Sequence, residues 1–212
     1  MLQMRVLFLL ALAAFSAQAQ DPITVLERRE LALERNALPS SHQLGLTLVY
    51  FKDGGWVAET IDSAVRQSAQ ILGQCGIALA QAELIQLSAP ERYRYYQTQV
   101  SRELARAVPL RKPTIYFVVD TRQRPAFDAE AIGRGNSRTR PELADTLWVT
   151  RGTRDLGIAI AHELAHVLMD SGEHLEEPGN LMREDTVPEN TNLTDAQCVR
   201  MRAAGRANGL MY

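Results

Sequence analysis

His162-Glu163-Leu164-Ala165-His166, followed by His174 and then by Asn180-Leu181-Met182, is the stretch on which the reading of this 212-residue chain turns. Three of its four histidines fall between positions 162 and 174. Residues four apart lie on one face of a helix, one turn from each other. Two imidazoles so placed can share one zinc ion, and the glutamate beside the first can reach a water on that ion. The flanks support a helix. Ile158, Ala161, Ala165 and Leu168 recur at three- and four-residue steps, as one buried face would. Thr153 or Asp155 is the expected cap at its start. Gly172 is the expected stop, since glycine accepts the left-handed conformation just past a helix. Gly157 is a small penalty inside the helix.

Two ligands make a weak site, and a catalytic zinc usually has three plus an open position. Asp170 continues the stripe, but an ideal helix sets its Cα about 12 Å from that of His162. A third ligand must come from chain that has turned back. His174, beyond Asp170-Ser171-Gly172, is the expected one.

These residues together resemble the active-site segment of the metzincin metallopeptidases. The resemblance implies Zn(2+) as cofactor, with His162, His166 and His174 as metal ligands. It also implies Glu163 as the catalytic general base and Met182 as the residue of a methionine turn beneath the metal. The spacing departs from that pattern. His174 comes eight positions after His166 where the family's third histidine comes six after its second, Met169 stands in the place of the family's glycine, and Gly172 comes later. Arg183-Glu184-Asp185 occupies the place where some branches carry a tyrosine.

The N-terminus reads as a signal peptide over residues 1–19. Arg5 precedes the apolar run Val6 to Phe15, and Ala17-Gln18-Ala19 fits a cleavage site. The run is shorter than the roughly 20 residues that span a bilayer. The expectation is a periplasmic or secreted protein, not held by a membrane once the leader is removed. The formal net charge of −2 argues against nucleic acid as a partner. Arg134, Arg138 and Arg140 cluster, and a solvated loop accounts for them. The only two cysteines, Cys75 and Cys198, are expected to form a disulfide in an oxidising compartment. That bridge would tie the first half of the chain to the last helix.

Residues 20–41 read as an N-terminal helical extension or a short propeptide, with the helix itself over 22–37, and 42–212 as the catalytic domain. Strands are expected at 44–51, 77–85, 114–120, 129–133 and 146–150. Helices are expected at 57–74, 90–108 and 194–208, the last capped by Thr194. The fold class is α+β. By the same resemblance it is a twisted, mixed, five-stranded sheet with an antiparallel edge strand, 129–133, above the metal. An extended peptide can pair with such an edge.

The function these residues imply is hydrolysis of peptide bonds in a peptide or protein substrate. Zinc would activate a water, and Glu163 would take its proton and pass it to the leaving amine. Two other readings fit the same residues. One is a zinc amidase acting on cell-wall peptides. The other is a non-catalytic binding module whose zinc is closed by a fourth ligand, Glu173, Glu176 or Glu177.

Overall fold

The computed structural model describes residues 22–33, 41–122, 131–134 and 139–212, with the backbone alone for 131–134. The signal peptide and Arg138 lie outside the described residues. One sheet organises the chain. Its strands are β1 (Thr24–Glu30), β2 (His42–Phe51), β3 (Ile77–Ser88), β5 (Thr114–Phe117), β7 (Ala131–Arg134) and β8 (Thr146–Val149). Two further short strands, β4 (Tyr95–Tyr96) and β6 (Asp120–Thr121), pair with each other in a small parallel ladder. The helices are α1 (Ala58–Gly73), α2 (Thr98–Ala107), α3 (Leu156–Met169) and α4 (Asp195–Ala207).

The strand order across the large sheet is β1-β3-β2-β5-β8-β7. The inner four run parallel, and β1 and β7 are antiparallel edges. From β2 the chain crosses one way to β3 through α1. It then crosses back over β2 to β5 through α2. Crossovers between parallel strands are right-handed, so reversing the direction moves the second helix to the opposite face. The buried side chains divide accordingly. Leu46, Leu48, Ile115, Phe117, Leu147 and Val149 join Ile61 of α1 and Ile160 of α3 in one core. Val49, Phe51, Tyr116 and Trp148, their neighbours along the same strands, join Leu104 of α2 in the other. This is the period-two alternation of a sheet covered on both faces. Tyr116 and Trp148 stack at 4.1 Å in the second core.

The five expected strands are present, and a sixth joins them where a helix was expected. Thr24–Glu30 is a strand, β1, and its side chains are exposed along their whole length. Local composition favoured a helix there. The unpaired edge of β3 wins, because it offers a row of backbone groups that an exposed helix could not use. Arg28 adds a salt bridge to Glu83 at 3.0 Å, and Leu31 enters the core just past the strand. The predicted helix over 90–108 is also interrupted. A 3-10 turn (Glu91–Arg94) and β4 come first, and Gln97 then caps α2 by accepting a hydrogen bond from Val100 at 3.0 Å. Tyr96 is the cause, since its ring is fully buried against Trp148 at 5.4 Å.

The expected bridge between Cys75 and Cys198 is formed, with Cα atoms 4.8 Å apart. It pins α4 to the chain just beyond α1. Among the described residues no helix is long and apolar enough to cross a membrane.

Candidate metal centre

Helix α3 carries the first two histidines, and it is buried almost all round rather than on one face. Only a helix enclosed by its own protein can be so uniformly apolar. Its approach to α1 depends on Gly157. A Cβ there would lie 2.7 Å from Cβ of Gln67, so the predicted penalty position is where the two helices come together. The helix starts at the expected Asp155, though without a side-chain cap, and it does not end at Gly172. Asp155 is the N-cap in the left-handed region, and its side chain caps nothing; its carbonyl accepts from Ile158 at 2.8 Å instead. Asp170, not Gly172, takes the left-handed conformation that ends the helix, at φ 48°. Aspartate is one of the few residues that tolerate this region.

His162 is 3% exposed, His166 is half-buried and His174 is exposed. They converge on one point from two segments. Nε2 of His166 lies 3.0 Å from Nε2 of His162 and 3.2 Å from Nε2 of His174. The outer nitrogens of the helical pair are already used. Nδ1 of His162 donates to the Leu181 carbonyl at 2.7 Å, and Nδ1 of His166 donates to the Ser171 carbonyl at 2.7 Å. A carbonyl only accepts, so each Nδ1 carries the hydrogen and each neutral ring offers an Nε2 lone pair. Burial, opposed by the Leu181 hydrogen bond, pushes His162 down to about 4. Burial also lowers His166. Two facing lone pairs 3.0 Å apart repel unless a cation lies between them. Zinc–nitrogen bonds of the usual length in a tetrahedron separate ligand atoms by about 3.3 Å. The three rings therefore fit a zinc ion with little movement.

Among the described residues no carboxylate joins them. The group close enough to hold a metal there consists of His162, His166 and His174. Glu173 instead accepts from Arg200 at 2.8 Å and from the Ser171 hydroxyl at 3.1 Å. Glu176 lies 3.8 Å from Arg183, and Glu177 is exposed. Glu163 stands on α3 next to His162, half-buried.

The turn to His174 is longer than the family pattern, and Ser171 organises the extra length. Its N–H donates to the His166 carbonyl at 3.1 Å, and its hydroxyl accepts from the Glu173 N–H at 3.2 Å. Leu175 then donates to the Met182 carbonyl at 2.8 Å, which ties the third histidine to the turn at Asn180-Leu181-Met182. Met182 is buried in the core below. A cavity of about 260 Å³ opens beside His174 and Met182, with Met169, Leu175 and Ala196 among its walls. That is room for a side chain rather than for a drug-sized molecule. Sequence reasoning missed the two carbonyls that orient the histidines. A backbone acceptor has no sequence signature, so nothing in the residue types at 171 and 181 could have marked them.

No family model matches the chain, and no curated protein matches it. Among solved structures it is similar to the crystal structure of metalloproteinase-II from Bacteroides fragilis, with a TM-score of 0.52 and 19% identity. The match covers 78% of this chain and 53% of that one, so the chain spans about half the length of that protein. At this identity the likeness establishes the fold: a metalloproteinase-like α+β domain with three histidines placed to hold a metal.

Proposed function

We propose that this chain is an exported zinc metallopeptidase, with His162, His166 and His174 as ligands, Glu163 as general base and Met182 as the methionine of the turn beneath. The observation that carries the proposal is the meeting of three Nε2 atoms while two Nδ1 atoms are held by carbonyls. Among the described residues no carboxylate stands with the three histidines, and three ligands would leave a position open, as catalytic sites do and closed structural sites do not. The metalloproteinase-like fold supports the reading. The disulfide and the leader-like N-terminus support export.

A zinc ion held by His162, His166 and His174 would supply Lewis-acid chemistry and would make water acidic enough to ionise near neutral pH, at a pKa of about 7. The chain's own groups do the rest. The carbonyls of Leu181 and Ser171 hold the two helical rings in one tautomer and one orientation. Glu163 accepts a proton from the attacking water on its carboxylate and delivers it to the leaving amine nitrogen. β7, at the edge of the sheet, is the element an extended peptide would pair with through main-chain hydrogen bonds. The cavity beside His174 would receive one side chain of that peptide.

A peptide-library digest before and after chelation tests this. Cleavage that stops on chelation and returns with zinc is the expected result. A chain that holds zinc yet cleaves nothing would instead be a binding module, and one that cleaves only non-peptide amides would be an amidase.

A further inference from the structure

Two side-chain amides face each other behind the metal centre. Asn180 Nδ2 donates to Gln197 Oε1 at 3.1 Å, and Gln197 Nε2 donates back to Asn180 Oδ1 at 2.9 Å. Backbone hydrogens fix which way each amide points. Asn180 Oδ1 also accepts from the Met182 N–H at 2.8 Å, and Gln197 Oε1 also accepts from the Thr194 N–H at 2.8 Å. An N–H can only donate, so neither amide can flip without losing a partner. The pair thus joins the Asn180-Leu181-Met182 turn to the first turn of α4. The next residue along α4, Cys198, is bonded to Cys75, so the anchor is itself covalently held. On the other side of the pair, the residue between Asn180 and Met182 supplies the carbonyl that receives His162 Nδ1 at 2.7 Å.

We infer that Gln197 is a positioning residue for the metal centre: acting through Asn180, it sets the Leu181 carbonyl that orients His162. Gln197 also completes the capping box of α4 with Thr194. A merely structural role would end there. The inference rests on the metal-binding reading above, and one substitution separates the two roles. Glutamate serves in a capping box as well as glutamine. Gln197→Glu therefore keeps the acceptor for Thr194 and Asn180 Nδ2 but has no hydrogen to give Asn180 Oδ1. It sets a carboxylate oxygen against an oxygen whose amide cannot turn.

The experiment measures the zinc dissociation constant by chelator competition, and the melting temperature of the metal-free chain. Gln197→Glu is expected to weaken zinc binding about tenfold or more, the scale of lost support behind a ligand. Thr194→Ala, which removes the hydroxyl cap but neither amide bond, is expected to lower the melting temperature with zinc binding unchanged. In an Asn180→Ala background, Gln197→Glu is expected to add nothing to the loss, because the path runs through Asn180. Unchanged affinity in Gln197→Glu overturns the inference while leaving the metal site standing. So does an equal loss in Thr194→Ala, or an undiminished effect in the Asn180→Ala background. Zinc binding that is unchanged in His162→Ala, in an otherwise wild-type chain, overturns the metal-binding reading and this inference together.

Discussion

His162 and His166 reach the same point with their Nε2 atoms because their Nδ1 atoms are already engaged. Each ring would otherwise turn about its own bonds, and fixing it costs side-chain entropy that the buried carbonyl contacts offset. Lys112 is a second residue under strain of burial, away from the histidines. Desolvation, opposed by the Asp145 carboxylate, lowers its ammonium to about 8. Its Nζ donates to the Glu142 carbonyl at 3.3 Å. In the unfolded chain the amine keeps its proton to about 10.5. Between those values the unfolded state binds more protons than the folded one, so stability rises with pH. The contribution is complete above about 10.5 and is lost as pH falls through about 8. Urea unfolding of the metal-free chain should therefore show a gain of about 1–2 kcal/mol from near pH 7.5 to near pH 9.5. Lys112→Gln should remove that rise, whatever it does to absolute stability. An unaltered slope in the variant would assign the titration to another group.

The helices differ in how openly the chain announced them. α4 was legible because Thr194 is a capping residue at its start; that Gln197 completes a capping box with it is what the structure adds. α3 was legible from the histidine spacing, but its enclosure was not, since periodicity marks one face and says nothing of what covers the others. β1 was misread because the deciding partner, the edge of β3, lies more than fifty residues away. Three histidines and a turn could be picked out from residue types; the Leu181 and Ser171 carbonyls could not. Gly157 shows the same limit. Alone in a helix it reads as a defect worth about 1 kcal/mol against alanine. Against α1 it is a requirement, because a Cβ would stand 2.7 Å from Cβ of Gln67 and 2.8 Å from its Cδ. The exposed amide end of Gln67 can swing away, but its Cβ cannot. Gly157→Ala should thus destabilise the chain by about 1–2 kcal/mol net, as overpacking does. Chemical denaturation would check the sign. A gain in stability would mean that α1 and α3 separate at no cost.

Across the whole molecule, the sheet divides the work. One face and α1, α3 and α4 build the metal centre, and the disulfide fastens the last of these helices in place. The other face, with α2 and the Tyr116–Trp148 stack, is a second core that backs the strands. The two edges are unlike. β7 runs beside α3 and is the candidate for a substrate strand, while β1 covers the long strand β3. Removing residues 20–33 should uncover the edge of β3 and withdraw Leu31 from the core. Light scattering after chromatography should then find larger species than the untruncated chain forms. If the truncated chain instead kept its size and gained hydrolytic activity, the segment would be a propeptide and not a working part of the sheet. The central claim, that Glu163 carries the chemistry on a three-histidine zinc site, is tested most directly by one digest. Zinc-loaded wild type and Glu163→Gln are incubated side by side with the same peptide library, and products are read by mass spectrometry with zinc content measured in parallel. Wild type should cleave, and the variant should hold an equal amount of zinc while cleaving at least about 10²-fold more slowly. A variant that keeps both its zinc and its full activity would contradict the account.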